Sequence, residues 1–116
     1  MRLRRALLTL ASALTLALSV STSAYAEATG NFSYFADDNG VAVQHKLDDP
    51  PLNECVDVAD DETVYVYKVQ NTTDAYADVY ENLTCGGTKT TLAPLSDEQP
   101  ETLHIRSVRF RPTSTS

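Results

Sequence analysis

After residue 30 the apolar positions of this chain recur with a period of two, and almost nowhere with the period of a helix. Asn31 to Ala36 carries Phe32, Tyr34 and Phe35 and predicts a first strand. Asp37-Asp38-Asn39-Gly40 follows as a turn, since Asn and Gly tolerate positive φ. Val41, Val43, His45 and Leu47 then alternate with Ala42, Gln44 and Lys46, the pattern of a half-buried strand. The segment Asp48, Asp49, Pro50, Pro51, Leu52, Asn53, Glu54 breaks the alternation, and its two prolines forbid regular pairing while stiffening the loop. A short strand is expected at Cys55 to Val58, and an acidic turn at Ala59 to Glu62.

Thr63 to Gln70 is the densest β stretch, built of Val64, Tyr65, Val66, Tyr67 and Val69. Asn71-Thr72-Thr73-Asp74 reads as a turn and Ala75 to Tyr80 as a strand. Gly86-Gly87 ends a bend, and Thr88 to Ala93 is again β-rich. Pro94 to Glu101 is a polar loop, and Leu103 to Arg111 is the last strand. Short strands at this spacing predict an all-β sandwich or barrel. The lack of any Trp and the short length disfavour an immunoglobulin-like sandwich.

The first 26 residues follow a different rule. Arg2, Arg4 and Arg5 precede an apolar run from Ala6 to Val20, and Ala24-Tyr25-Ala26 is a small-x-small cleavage site. This is the pattern of a secretory signal peptide. The run is too short and too interrupted by Thr9, Ser12, Thr15 and Ser19 for a membrane anchor. Arg4-Arg5-Ala6-Leu7-Leu8 also fits a loose twin-arginine signal. The expected organisation is a signal at 1–26, one domain at 27–111 and a frayed tail at 112–116, secreted to the extracellular space.

Removal of the signal sharpens the charge. It takes three of the 9 Lys and Arg residues and none of the 16 Asp and Glu residues, leaving 6 basic against 16 acidic and a net charge of −10. Such a surface repels phosphate backbones, which argues against nucleic-acid partners, and it attracts basic proteins or cations.

Cys55 and Cys85 are the only cysteines. An even pair in an oxidising compartment predicts a disulfide. The alternatives are two free thiols or a metal pair. The metal reading is disfavoured because His45 and His104 lie far off in sequence, and no Cys-x-x-Cys or His-Glu-x-x-His occurs.

A weak repeat runs through the domain. Tyr34 is followed by five residues and Gly40; Tyr80 is followed by five residues and Gly86; the second copy ends in Ser107-Val108-Arg109-Phe110. An aromatic residue would cover a folded hairpin, a glycine would take the positive φ at its bend, and a hydroxyl on the fourth strand would bond into it. This resembles the Greek-key motif of βγ-crystallins over about Asn31 to Phe110. The second key is the closer match, and the first has Tyr65 or Tyr67 where the serine is expected.

The resemblance implies two Greek keys forming a sandwich. It also brings in a calcium motif of two Asn or Asp, two variable residues, Ser or Thr, then Ser. Aligned on Ser107, this chain offers Thr102, Leu103, His104, Ile105, Arg106 and Ser107, so both acidic positions are lost. In the first key Asp60 and Asp61 fill the first two places, but Val64 and Tyr65 replace the hydroxyls. No metal and no cofactor are expected.

Neither histidine has a sequence-adjacent nucleophile, and no Gly-x-Ser-x-Gly occurs. The function expected is a secreted, non-catalytic binding protein. Its most concrete version is an inhibitor of an extracellular peptidase, because some bacterial metalloproteinase inhibitors resemble βγ-crystallins in fold. The stiffened loop Asp48 to Glu54, beside Cys55, is then the candidate binding loop. The alternatives are a structural or calcium-stabilised extracellular protein and a small secreted toxin. If several tyrosines line one exposed face, that face is a binding surface.

Overall fold

The computed structural model describes residues 26–113. The expected signal segment, except Ala26, and residues 114–116 of the expected tail lie outside the described residues. Seven strands run in the order β1 (Gly30–Asp38), β2 (Val41–Asp48), β3 (Cys55–Asp57), β4 (Tyr67–Thr73), β5 (Tyr76–Tyr80), β6 (Lys89–Leu92) and β7 (Ser107–Arg111). A single 3-10 turn covers Leu83–Cys85, and no α-helix occurs among the described residues. The described domain is all-β, as the period-two pattern predicts.

The strands form two antiparallel sheets, ordered β2-β1-β4 and β3-β7-β5-β6. The sheets exchange material. β3, from the first half of the chain, pairs with β7 of the second. In return, residues 95–99 lie along β4: the N–H groups of Leu95, Ser96 and Gln99 donate to the carbonyls of Thr73, Asn71 and Val69 at 3.1, 2.9 and 2.8 Å.

The core lies between the sheets. Phe32 and Val69 from one side meet Val79, Val108 and Phe110 from the other, all almost wholly buried. Phe32 and Phe110 pack edge to face with centroids 5.4 Å apart, a favoured aromatic geometry. The Cys55–Cys85 disulfide forms across a Cα–Cα distance of 5.9 Å, tying β3 to the bend after β5. It closes the expected pair and excludes the free-thiol and metal readings.

Asp37 and Asp38, expected in the turn, extend β1, and Asp48, expected in the loop, ends β2; three larger differences follow. The strand expected from Thr63 begins in fact at Tyr67, with one isolated bridge at Val66; Val64 and Tyr65 stand outside any ladder. The polar run Asn71-Thr72-Thr73 is strand rather than turn. Asn71 and Thr73 are fully buried and satisfy each other: Asn71 Nδ2 donates to the carbonyls of Ala75 and Ala93, and Thr73 Oγ1 donates to Asn71 Oδ1. Buried polar groups are tolerated when bonded in this way. The last strand begins at Ser107, not Leu103.

β2 is not half-buried. Its apolar residues do share the inner face with Phe32, Tyr34 and Ala36 of β1 through the pairs Leu47–Phe32, His45–Tyr34 and Val43–Ala36. The facing β3 has only three residues, however, so the tip of the β1–β2 hairpin has no opposing sheet. Val41 is 62% exposed and Val43 37%.

Candidate functional site

The body of the β1–β2 hairpin and the β3–β4 connection line a cleft of about 510 Å³. Tyr34, Ala36 and His45 supply one wall, from β1 and β2. Asp57 to Asp60 and Thr63 to Val66 supply the other. Among its apolar lining residues Tyr34, Ala59 and Val66 are buried, while Val64 is 43% exposed and Tyr65 40%. Tyr34 stacks on His45 with centroids 5.5 Å apart, and Tyr65 stacks on His104 at 3.8 Å. Each histidine is thus held flat against a tyrosine.

Acidic groups surround this apolar surface. Asp37, Asp57 and Asp60 line the cleft, and no Lys or Arg does. Burial, and next the Asp60 carboxylate, raise the Tyr34 phenol above its ordinary value. Asp37 accepts the Tyr67 hydroxyl proton in a short hydrogen bond. That bond, more than any other cause, pushes the Tyr67 pKa up to about 12. The connection itself is a folded turn in which Asp61 accepts both the amide and the hydroxyl of Thr63; these bonds hold the Asp61 carboxyl below its ordinary value. On the outer face of the same sheet, Phe35, Tyr67, Lys68 and His104 continue the aromatic surface, with Lys68 Nζ 5.7 Å from the Phe35 ring centre. Tyr65 borders both faces. Exposed Tyr65 and partly buried Tyr67 are therefore neighbours here, with ring centroids 6.2 Å apart, whereas Tyr34 is buried.

The stiffened loop Asp48 to Glu54 lies apart from this cleft and is sewn into the fold. The amides of Asp49, Leu52 and Asn53 donate to the carbonyls of Gly30, Ala26 and Phe110, and the Pro50 carbonyl accepts from Ala28. Pro50 is buried and Leu52 packs against the core, while Asp48, Asp49, Asn53 and Glu54 point outward. The loop is rigid, but its exposed side chains are acidic or polar.

The residues of the repeat separate into two unlike bends. Gly40 has φ +83 and follows Asn39 at φ +54 in a two-residue turn, which leaves the β1–β2 register unbroken to its tip. This is the ordinary tight hairpin that Asn-Gly favours, not a folded one. Gly86 departs from the expectation: its φ is −110. The left-handed positions are instead Thr84, Cys85 and Gly87, because the chain turns earlier, in the 3-10 segment. Nor do the tyrosines cover the glycines. A Cβ at Gly40 would meet nothing within 4 Å, and one at Gly86 would meet only the Leu83 carbonyl and the Asn82 side chain.

Ser107 is fully buried opposite Tyr80. Its Oγ donates to the Asn82 carbonyl at 2.6 Å and accepts the Cys85 amide at 2.8 Å. The first half has no equivalent: its β1–β4 register breaks opposite Tyr34, where Lys68 has φ +50.

Among the described residues, no group of three or more His, Cys, Asp or Glu side chains stands close enough to hold a metal ion. No helix among the described residues is long and apolar enough to cross a membrane. Period alone could not have revealed the cleft, because Val64 and Tyr65 read as strand core in the sequence. Compared with known protein families, curated proteins and solved structures, the chain matches none.

Proposed function

We propose that residues 27–111 form a secreted, non-catalytic protein-binding domain with βγ-crystallin topology, whose recognition site is the acidic, tyrosine-lined cleft. The exchange of strands supports the topology. β1, β2, β3 and β4 make one key, and β5, β6, residues 95–99 and β7 the other; each key lends its third strand to the other's sheet. Ser107 closes the bend of the second key. The first key departs from the pattern with its tight Asn39-Gly40 hairpin.

The cleft is the observation that carries the function. Exposed Val64 and Tyr65 are mounted beside a disulfide-anchored strand, and apolar and aromatic groups of this kind anchor protein interfaces. An extracellular peptidase is the most concrete partner. It would engage the Asp60–Tyr65 connection rather than the loop Asp48 to Glu54, whose apolar residues turn inward.

The test is inhibition of a panel of extracellular metallo- and serine peptidases, together with capture from extracellular fluid. Tyr65→Ala should abolish the interaction and Glu54→Ala should leave it intact. A partner insensitive to Tyr65 but lost with Glu54 would return the site to the loop. Turnover of a substrate by the domain itself would overturn the non-catalytic reading.

A further inference from the structure

We infer that the cleft and the free edge of β2 together take an extended, basic segment of the partner, which adds as a strand to β2 and lays alternate Lys or Arg side chains toward Asp57 and Asp60. This rests on the reading of the cleft as a recognition site and names what enters it.

The first observation is the edge. β2 ends its sheet, and among the described residues nothing pairs with its outer side. Open edges invite further strands, and natural proteins guard them with prolines, bulges, inward charges or brevity. The other edges here are guarded. β3 and β6 have three and four residues, and β4 is covered by residues 95–99. β2 has eight residues, no proline, an unbroken register with β1 and a single lysine. Every residue in it except Leu47 is exposed. An added strand would find a ladder of unpaired backbone groups, the usual basis of peptide recognition by strand addition.

The second observation is charge. A strand paired with β2 presents every other side chain on the face that carries Val41, Val43 and His45. His45 of that face borders the cleft, where Asp57 and Asp60 lie with no lining Lys or Arg; the Asp57 carboxylate also accepts the Thr84 amide. Cationic side chains at those positions are complementary, and acidic ones would be repelled. A second copy of this chain fits poorly. It would bring one acidic cleft against another, within a domain whose net charge after the signal is −10.

The probe is an acetylated and amidated eight-residue peptide of alternating Lys and Thr, titrated at low salt into the secreted protein. Amide hydrogen exchange of β2 reads the result. Tenfold or greater slowing of β2 amides is expected, with no slowing by the Glu–Thr peptide or by the Lys–Thr peptide N-methylated throughout. Asp60→Lys should weaken binding about fivefold, the scale of one exposed ion pair.

Equal binding by the N-methylated peptide would reduce the site to simple cation attraction and overturn strand addition. Failure of the Lys–Thr peptide, protection of β6 instead of β2, or a protein already dimeric through β2 would overturn it as well. None of these outcomes touches the Tyr65→Ala test, so the cleft reading stands or falls separately.

Discussion

Ser107→Ala removes one oxygen atom from the middle of the second bend. That oxygen is wholly buried and joins the Cys85 amide, at 2.8 Å, to the Asn82 carbonyl, at 2.6 Å. Each bond contributes about 1 kcal/mol net. The two losses differ in what they leave. Asn82 is exposed, so water can reach its carbonyl; Cys85 is only half-exposed, and its amide loses its partner in a confined place. The expected loss is about 2–3 kcal/mol.

With a urea m-value of about 1 kcal/mol/M for a domain of this size, the midpoint should fall by about 2–3 M. Exchange of the Cys85 amide should accelerate with it. The disulfide holds the same bend, so the loss should not add simply to that of a Cys55→Ala, Cys85→Ala variant; a coupling of about 0.5 kcal/mol or more is expected for groups in contact. A stability loss below about 0.5 kcal/mol, or an unaltered Cys85 amide, would refute the role given to Ser107.

Thr84 has φ +57, a conformation unfavourable for a β-branched residue. Its amide bond to Asp57, at 2.8 Å, does not need the side chain, so Thr84→Gly should raise Tm by about 5 °C, corresponding to about 1 kcal/mol. Asp78 is buried. Burial alone would raise its pKa, but hydrogen bonds from Arg111 and Thr91 outweigh that and hold it below the ordinary 3.8. Its contribution is complete above that value and lost as pH falls below it, so Asp78→Asn should flatten the acid limb of a stability–pH curve and cost about 2 kcal/mol at neutral pH. Absorbance titration should find a tyrosine with a pKa of about 12, and Asp37→Asn should move it down toward the others; an unchanged titration would remove the Tyr67–Asp37 bond. Reduction of Cys55–Cys85 should lower stability by about 3.5 kcal/mol, read by denaturation with and without reductant.

The strands were legible because an alternating face repeats every second residue, and the turns at Gly40 and the disulfide were legible from local chemistry. What alternation does not encode is the neighbour. Val41 and Val43 carry the right pattern, yet both are exposed. Asn71 and Thr73 have turn-forming chemistry, but a buried network of their own makes them strand. The displacement of positive φ from Gly86 to Thr84 and Cys85 reflects tertiary anchors: the disulfide, Ser107 and Asp57 together hold residues that would not choose that conformation. The cleft escaped a linear reading because its walls come from β1, β2 and the β3–β4 connection, joined only by folding.

The exchange of β3 for residues 95–99 has a consequence for how the chain can be cut. The first half carries β2, β1 and β4 without the residues 95–99 that cover β4, and β3 without its partner β7, so a ribosome that has released only the first half holds a fragment with one strand stranded and one edge uncovered. The pairings that complete the fold, β3 with β7 and residues 95–99 with β4, join segments distant in sequence, a topology associated with slow folding. The same interlocking makes the halves complementary objects. Expressed as separate peptides divided near Asp74, each should be unstructured alone and should regain order only when it meets the other.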